Sequence, residues 1–285
     1  MRDIPLLGYA DRLSGRPGDT IALKVSSDSD EPFQARLVRV ISADPNPVGP
    51  GLIEEELDIP FGGSFPSRRQ PFYPGSYALI EAEGLFDSSQ SFTLVATVWP
   101  TTPGKGMQGI VSLGDPNGQG LSLGLDRSGS GAATRSTPGE NGLTVTAREP
   151  LQTWRWYRIW ATYDATARTL SVGHQALDHP FGNAQATLNL DKRLNVRSVD
   201  QVLISAIPGE PIHGHFNGKI QSPMIFNREL SHNEIAGLAD QIPEGLLAHW
   251  DFSVGTCTTR IEDVGPHRKH GRLVNMPARA MTGSS

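Results

Sequence analysis

Apolar residues in this chain recur with period two in short runs, and nearly every run is cut off by glycine or proline. A period of two places successive side chains on opposite faces of an extended backbone, whereas a helix would need spacings of three and four. Thr20 to Ser26 (TIALKVS), Gln34 to Ile41 (QARLVRVI), Ser76 to Glu81 (SYALIE), Phe92 to Trp99 (FTLVATVW), Gln201 to Ala206 (QVLISA) and Leu246 to Phe252 (LLAHWDF) read as strands on this basis. The 31 glycines and 22 prolines supply the turns between them, without a collagen period. The period changes clearly in one place. Ser231 stands at a cap position with Glu234 three residues on, and Ile235, Leu238 and Ala239 form an apolar stripe, which predicts a short helix ending near Ala239 or Asp240. The expectation is an all-β chain with one short helix.

Two domains follow from the placement of the breaks. Residues 1–88 hold short alternating runs, with a Pro17-Gly18 turn leading into the first and a loop at 44–51 (DPNPVGPG) too rich in Pro and Gly for a regular element. Residues 61–75 are similarly interrupted, and the whole reads as a small immunoglobulin-like sandwich. Residues 89–274 read as a second, larger sandwich. Its first strand, Phe92 to Trp99, is apolar on both faces and so is expected to be central, covered by two layers. Trp156 to Asp164 (WYRIWATYD) turns at 164–168 and returns from Thr169 to Gly173, which is a hairpin. Glycines between 103 and 142 fit brief strands and tight turns, because no strand, GxGxxG turn and long helix follow in the order a dinucleotide site needs. Residues 255–271 are polar and turn-rich.

The charge balance, 25 Lys and Arg against 30 Asp and Glu for a net charge of -5, gives no electrostatic reason to approach nucleic acid or an anionic membrane. The opening MRDIPLLGYADR lacks an uninterrupted apolar core and no later stretch nears 18 apolar residues, so a cytoplasmic protein is expected. The lone Cys257 forms no internal disulfide and has no visible activating partner. His213 with His215, and His267 with His270, are pairs without a third ligand pattern, so no metal is assigned. No GxSxG elbow marks a nucleophile, and no catalytic residue is assigned. Asp126, Asp164 and Asp251 stand at strand ends, where turn stabilisation or calcium binding at a rim are both open. Trp156 and Trp160 share one strand face, a pattern that more often marks sandwich core than a ligand platform or an interdomain seam; the alternative is that Trp99, Trp156 or Trp160 stacks on a ligand.

Three segments together, SFTLVATVWPTTPGKGMQGIVSLGD, WRWYRIWATYDATARTLSV and HFNGKIQSPMIFNRELSHNEIAGL, resemble a laminin-G/concanavalin-A-like jelly roll. The opening IPLLGYADRLSGRPGDTIALKVSS, the segment LVRVISADPNPVGPGLIEEEL, and AHWDFS followed by GRLVNMPARAMTG are similar to the N-terminal, non-catalytic region of the large (beta) subunit of the N,N-dimethylformamidase family. That resemblance implies a parent enzyme that hydrolyses dimethylformamide to dimethylamine and formate on an iron held by tyrosine and glutamate in a later domain. None of those ligand positions matches a residue here, so no cofactor is expected in this chain itself. The resemblance makes 275–285 a linker toward a catalytic domain, and the chain a structural or assembly region of an amide hydrolase, partnered by its catalytic domain or other subunits. A stand-alone carbohydrate- or protein-binding module is the alternative, with Trp99, Trp156 or Trp160 as its platform.

Overall fold

In the computed structural model, residues 5–12, 14–70, 74–85, 90–137, 142–180, 182–194, 199–279 and 283–284 are described. The chain divides into Met1–Phe72 and Tyr73–Ser285.

The first unit holds β1 (Leu6–Ala10), β2 (Leu23–Ser27), β3 (Phe33–Arg36), β4 (Val38–Ala43), β5 (Leu52–Glu56) and β6 (Gly62–Phe65). They pair as three antiparallel ladders, β1 with β2, β3 with β6, and β4 with β5. The alternating run from Gln34 to Ile41 is therefore two strands, divided at Leu37, because its halves pair with different partners. The stretch 61–75, expected to be irregular, contains β6; Gly62 and Gly63 hold φ of 139° and 121°, which side chains disfavour, and so permit that strand. Glu54, Glu55 and Glu56 form ion pairs with Arg36 and Arg39 at the surface. No apolar side chain among the described residues of this unit is buried, and Ile41 and Leu52 are 58% and 67% exposed.

The second unit contains β7 (Tyr77–Glu81), β8 (Phe92–Pro100), β9 (Gln108–Gly114), β10 (Gly120–Leu125), β11 (Ser130–Ser136), β12 (Leu143–Pro150), β13 (Tyr157–Asp164), β14 (Thr169–Ala176), β15 (Ala184–Asn189), β16 (Gln201–Ile204) and β17 (Gly218–Phe226). Helix α1 (His232–Ala236) runs on into a 3-10 turn at Gly237–Ala239, and β18 (Leu246–Asp251), β19 (Arg260–Asp263) and β20 (Gly271–Val274) complete it. One layer runs β12-β11-β10-β9-β16-β7-β20-β19, the other β18-β17-β8-β13-β14-β15, and the β18–β19 pair makes the corner between them. This is the sandwich the alternation predicts, all-β with a single short helix. Strand β7 pairs with β16 and β20 and so belongs to this unit, although its sequence position suggested the amino-terminal one; the chain divides between Phe72 and Tyr73, and the position expected for the boundary, 88, lies outside the described residues. Strand β19 also forms within the stretch 255–271 that composition marks as loop.

Strand β8 is central, between β17 and β13. Phe92, Leu94, Ala96 and Val98 point into the main core with Ile159, Ala161, Ile110, Val111 and Trp250. Val95 on the opposite face meets Trp160, Met224, Phe226, Leu230, Ile235 and Leu238, a smaller core beneath α1. Each fully buried leucine or isoleucine of these clusters is worth roughly 2 kcal/mol.

The helix that closes this second core is fixed at both ends. Ser231 and Glu234 form the reciprocal capping box the sequence predicts. Arg158, buried on β13, donates from Nη1 to the carbonyls of Ile235 and Ala236 at 2.9 and 2.7 Å, satisfying acceptors that a helix end leaves open. Arg228 pairs with Glu234 at 2.6 Å. Beyond β20 the chain does not leave as an untethered linker. Arg279 donates to the carbonyl oxygens of Phe252, Val254, Gly255, Thr258 and Arg260, so its guanidinium fills the loop between β18 and β19. Ser284 also bonds Gln221 of β17, while 280–282 and 285 lie outside the described residues.

Candidate functional site

The face of the second layer away from the main core carries the polar and aromatic side chains that could meet a ligand. Helix α1 covers its middle. At one end, Lys219, Trp99 and Trp156 form a row across β17, β8 and the start of β13: Lys219 pairs with Trp99, and Tyr157 with Val98, which brings Trp156 opposite Trp99. Both indoles are half-buried. The Lys219 ammonium lies 4.8 Å from the centre of the Trp99 ring and 5.9 Å from that of Trp156. Asp178 Oδ2 accepts the Trp156 backbone N–H at 3.4 Å and stands 4.0 Å from Arg155. Trp154, 66% exposed, holds a φ of 61° and donates its N–H to Pro100, the residue after Trp99.

Trp160 is a different case. It is 3% exposed, and its ring lies against Gly173, where a Cβ would come 2.4 Å from Cζ2; His232 meets its edge at 5.6 Å. Enclosed in this way, Trp160 belongs to the core and only borders the cleft beside α1, so the platform expectation is corrected for it. Sequence reasoning missed Lys219, since the β17–β8 pairing that brings it to Trp99 joins residues far apart in the chain.

Beside α1 at the other end lies a cleft of about 400 Å³ lined by Thr162, Gln185, Glu229, Leu230, His232 and Glu234 among others. Burial and the charge of Asp164 raise the Glu229 carboxyl above its ordinary value, against a hydrogen bond from Thr162. Arg228 and Ser231 hold the exposed Glu234 carboxylate down at about 2. Glu234 is thus committed to the cap.

The other sequence candidates do structural work. Asp126, Asp164 and Asp251 each accept backbone N–H bonds from their own turns, from Ser128 and Ser130, from Thr166 and Ala167, and from Ser253. His213 and His215 are not on one side of an extended strand, because Gly214 between them has a φ of 59°. His213 Nδ1 lies 3.3 Å from the Pro211 carbonyl, and His215 packs on Tyr77 and over Gly75. Burial, then the charges of Lys105 and His213, lower the His215 pKa. His270 Nδ1 is 2.7 Å from Glu262. Cys257 is exposed. Among the described residues no group of three His, Cys, Asp or Glu side chains could hold a metal ion. The buried tyrosines do not converge with glutamates either: Tyr157 Oη takes the Gln152 N–H and neighbours His179, and Tyr163 Oη takes the Leu194 N–H. These residues do not fit an iron held by tyrosine and glutamate. No described helix is long and apolar enough to cross a membrane.

The chain is 35% identical over 99% of its length to the N,N-dimethylformamidase beta subunit of Paracoccus aminophilus, and 30% identical, again over 99%, to that of an Alcaligenes species. It spans 41% of the length of each. A crystal structure of a candidate carbohydrate-binding protein from Bacteroides ovatus superposes with a TM-score of 0.51 at 15% identity, covering 94% of this chain and 66% of that one, a likeness of fold alone. A family model described as the concanavalin A-like lectin/glucanases superfamily matches residues 74–236, which contain β7 to β17 and α1. On this match across more than half its length, the chain belongs to the concanavalin A-like lectin/glucanases superfamily.

Proposed function

We propose that this chain is the non-catalytic, assembly-supporting region of an N,N-dimethylformamidase-like amide hydrolase. The observation that carries the reading is the end-to-end similarity to two beta subunits, each more than twice as long as the region matched. A beta subunit belongs to a multi-subunit complex. The first unit supports the reading physically: its ladders turn Leu7, Tyr9, Leu23, Val40, Ile41 and Leu52 outward, and apolar area of this kind is a surface for association. On this reading the iron and the hydrolytic step belong to polypeptide outside these residues, and the partner of this chain is that catalytic part or its companion subunits.

The test mixes the chain with the remaining polypeptide of the Paracoccus aminophilus beta subunit and follows complex formation by light scattering after size exclusion. A stable complex is expected, weakened at least tenfold by Val40→Glu combined with Leu52→Glu, a loss of about 1.4 kcal/mol. Turnover of dimethylformamide by the chain alone, or a complex indifferent to these substitutions, would overturn the proposal.

A further inference from the structure

The row formed by Lys219, Trp99 and Trp156 is more specific than a patch of surface aromatics. Two neighbouring indoles share one ammonium, at 4.8 and 5.9 Å from their ring centres, and both distances lie within the roughly 6 Å over which an aromatic quadrupole attracts a cation. Asp178, bonded to the backbone of Trp156, places a carboxylate at the same end of the sheet. Arg155 and His179 also face that carboxylate, at 4.0 and 3.8 Å, so the two indoles are what favours a cation here.

Its chemistry separates it from a sugar platform. Stacking on a pyranose needs an open, uncharged indole face, whereas here the faces are turned to an ionised nitrogen. An alkylated ammonium suits two indoles better than the primary amine does. Methyl groups spread the charge, lower the cost of leaving water and touch both rings. Lys219 reaches the rings on a flexible four-carbon stem, whose rotation moves the head group without moving the backbone of β17.

We propose that Trp99 and Trp156 form a cage for small alkylammonium ions, filled by the Lys219 ammonium when no ion is bound. Lys219 is then an internal competitor that sets the affinity. The proposal concerns this chain's own surface and stands apart from its role in a larger enzyme.

The experiment titrates the full chain with tetramethylammonium and dimethylammonium chloride, following the indole N–H signals of Trp99 and Trp156 by NMR at constant ionic strength. Saturable shifts are expected in the wild type. Lys219→Met, which keeps the stem and removes the charge, is expected to tighten binding about tenfold, and Trp156→Leu in that background to abolish it. Circular dichroism checks that each variant is folded, and the wild-type shifts provide a readout that needs no variant. The proposal is overturned by an absence of saturable shifts in folded Lys219→Met, or by equal binding when Trp156 is removed. Equal binding of tert-butanol, a neutral analogue of similar size, or binding of a trimethyllysine peptide without binding of the free ions, would overturn it too.

Discussion

His174 on β14 is 1% exposed, and among the described residues neither of its ring nitrogens has a hydrogen-bond partner. Its imidazole reaches across the sandwich to Gly131 of β11, where a Cβ would approach Nδ1 to 3.0 Å, and Tyr157 meets its edge at 5.7 Å. Burial lowers its pKa from 6.5 to about 4. The folded state therefore disfavours the proton, and the stability that His174 leaves intact above pH 6.5 is lost as the pH falls toward 4. In full this depression corresponds to about 3 kcal/mol, of which about 2 kcal/mol falls between pH 7 and pH 4.5. With a urea m-value of about 2–3 kcal/mol/M for a unit of this size, the midpoint drops by about 1 M over that interval. His174→Phe keeps a flat ring and removes the titration. Urea unfolding of both proteins at the two pH values, read by fluorescence, is expected to show about 1 M less acid loss in the variant, with its stability at pH 7 equal or slightly higher because two unsatisfied nitrogens are gone. Burial also lowers the pKa values of His249 and His215, which remain in the variant and contribute to its residual slope. The reasoning fails if the variant loses as much stability in acid as the wild type, or if His174 titrates near 6.5 by NMR.

Three further outcomes follow from the packing. Gly173→Ala drives a Cβ to 2.4 Å from the Trp160 ring and is expected to cost about 2 kcal/mol or more, seen as a lower melting temperature with altered Trp fluorescence. Arg158→Met leaves the carbonyls of Ile235 and Ala236 without their buried donor; a loss of about 1.5–3 kcal/mol is expected, with faster amide exchange across 232–239. Ser231→Ala removes one half of the capping box and is expected to cost about 1 kcal/mol in chemical unfolding, with the Arg228–Glu234 pair retained.

What could be read from sequence is what neighbouring residues decide among themselves. The α1 cap lies within four positions, the β13–β14 hairpin is closed by Asp164 bonding Thr166 and Ala167, and the two-sided burial of β8 is written in its own side chains. Decisions made by distant partners were not legible. The break at Leu37 depends on β5 and β6, the placement of β7 depends on β16 and β20, and nothing local marks Gly131 as the space into which His174 extends. At the candidate site the same division holds. Two of the three tryptophans are where alternation puts them, at the open end of the sheet; Trp160 is enclosed because α1 folds over it, and Lys219 arrives from a strand more than a hundred residues later.

The clamp at Arg279 ties the corner of the sandwich to residues beyond β20. The β18–β19 pair that turns one layer into the other rests on two residue pairs, Trp250 with Asp263 and Asp251 with Glu262. The carbonyls of the intervening loop converge on a cation that the ribosome adds only after β20 is made. The corner is also held from within, because the buried Asp263 carboxylate accepts from the backbone N–H groups of His249, Gly265 and Lys269, so Arg279 adds a second fastening on the loop side and losing it would loosen the loop before the corner.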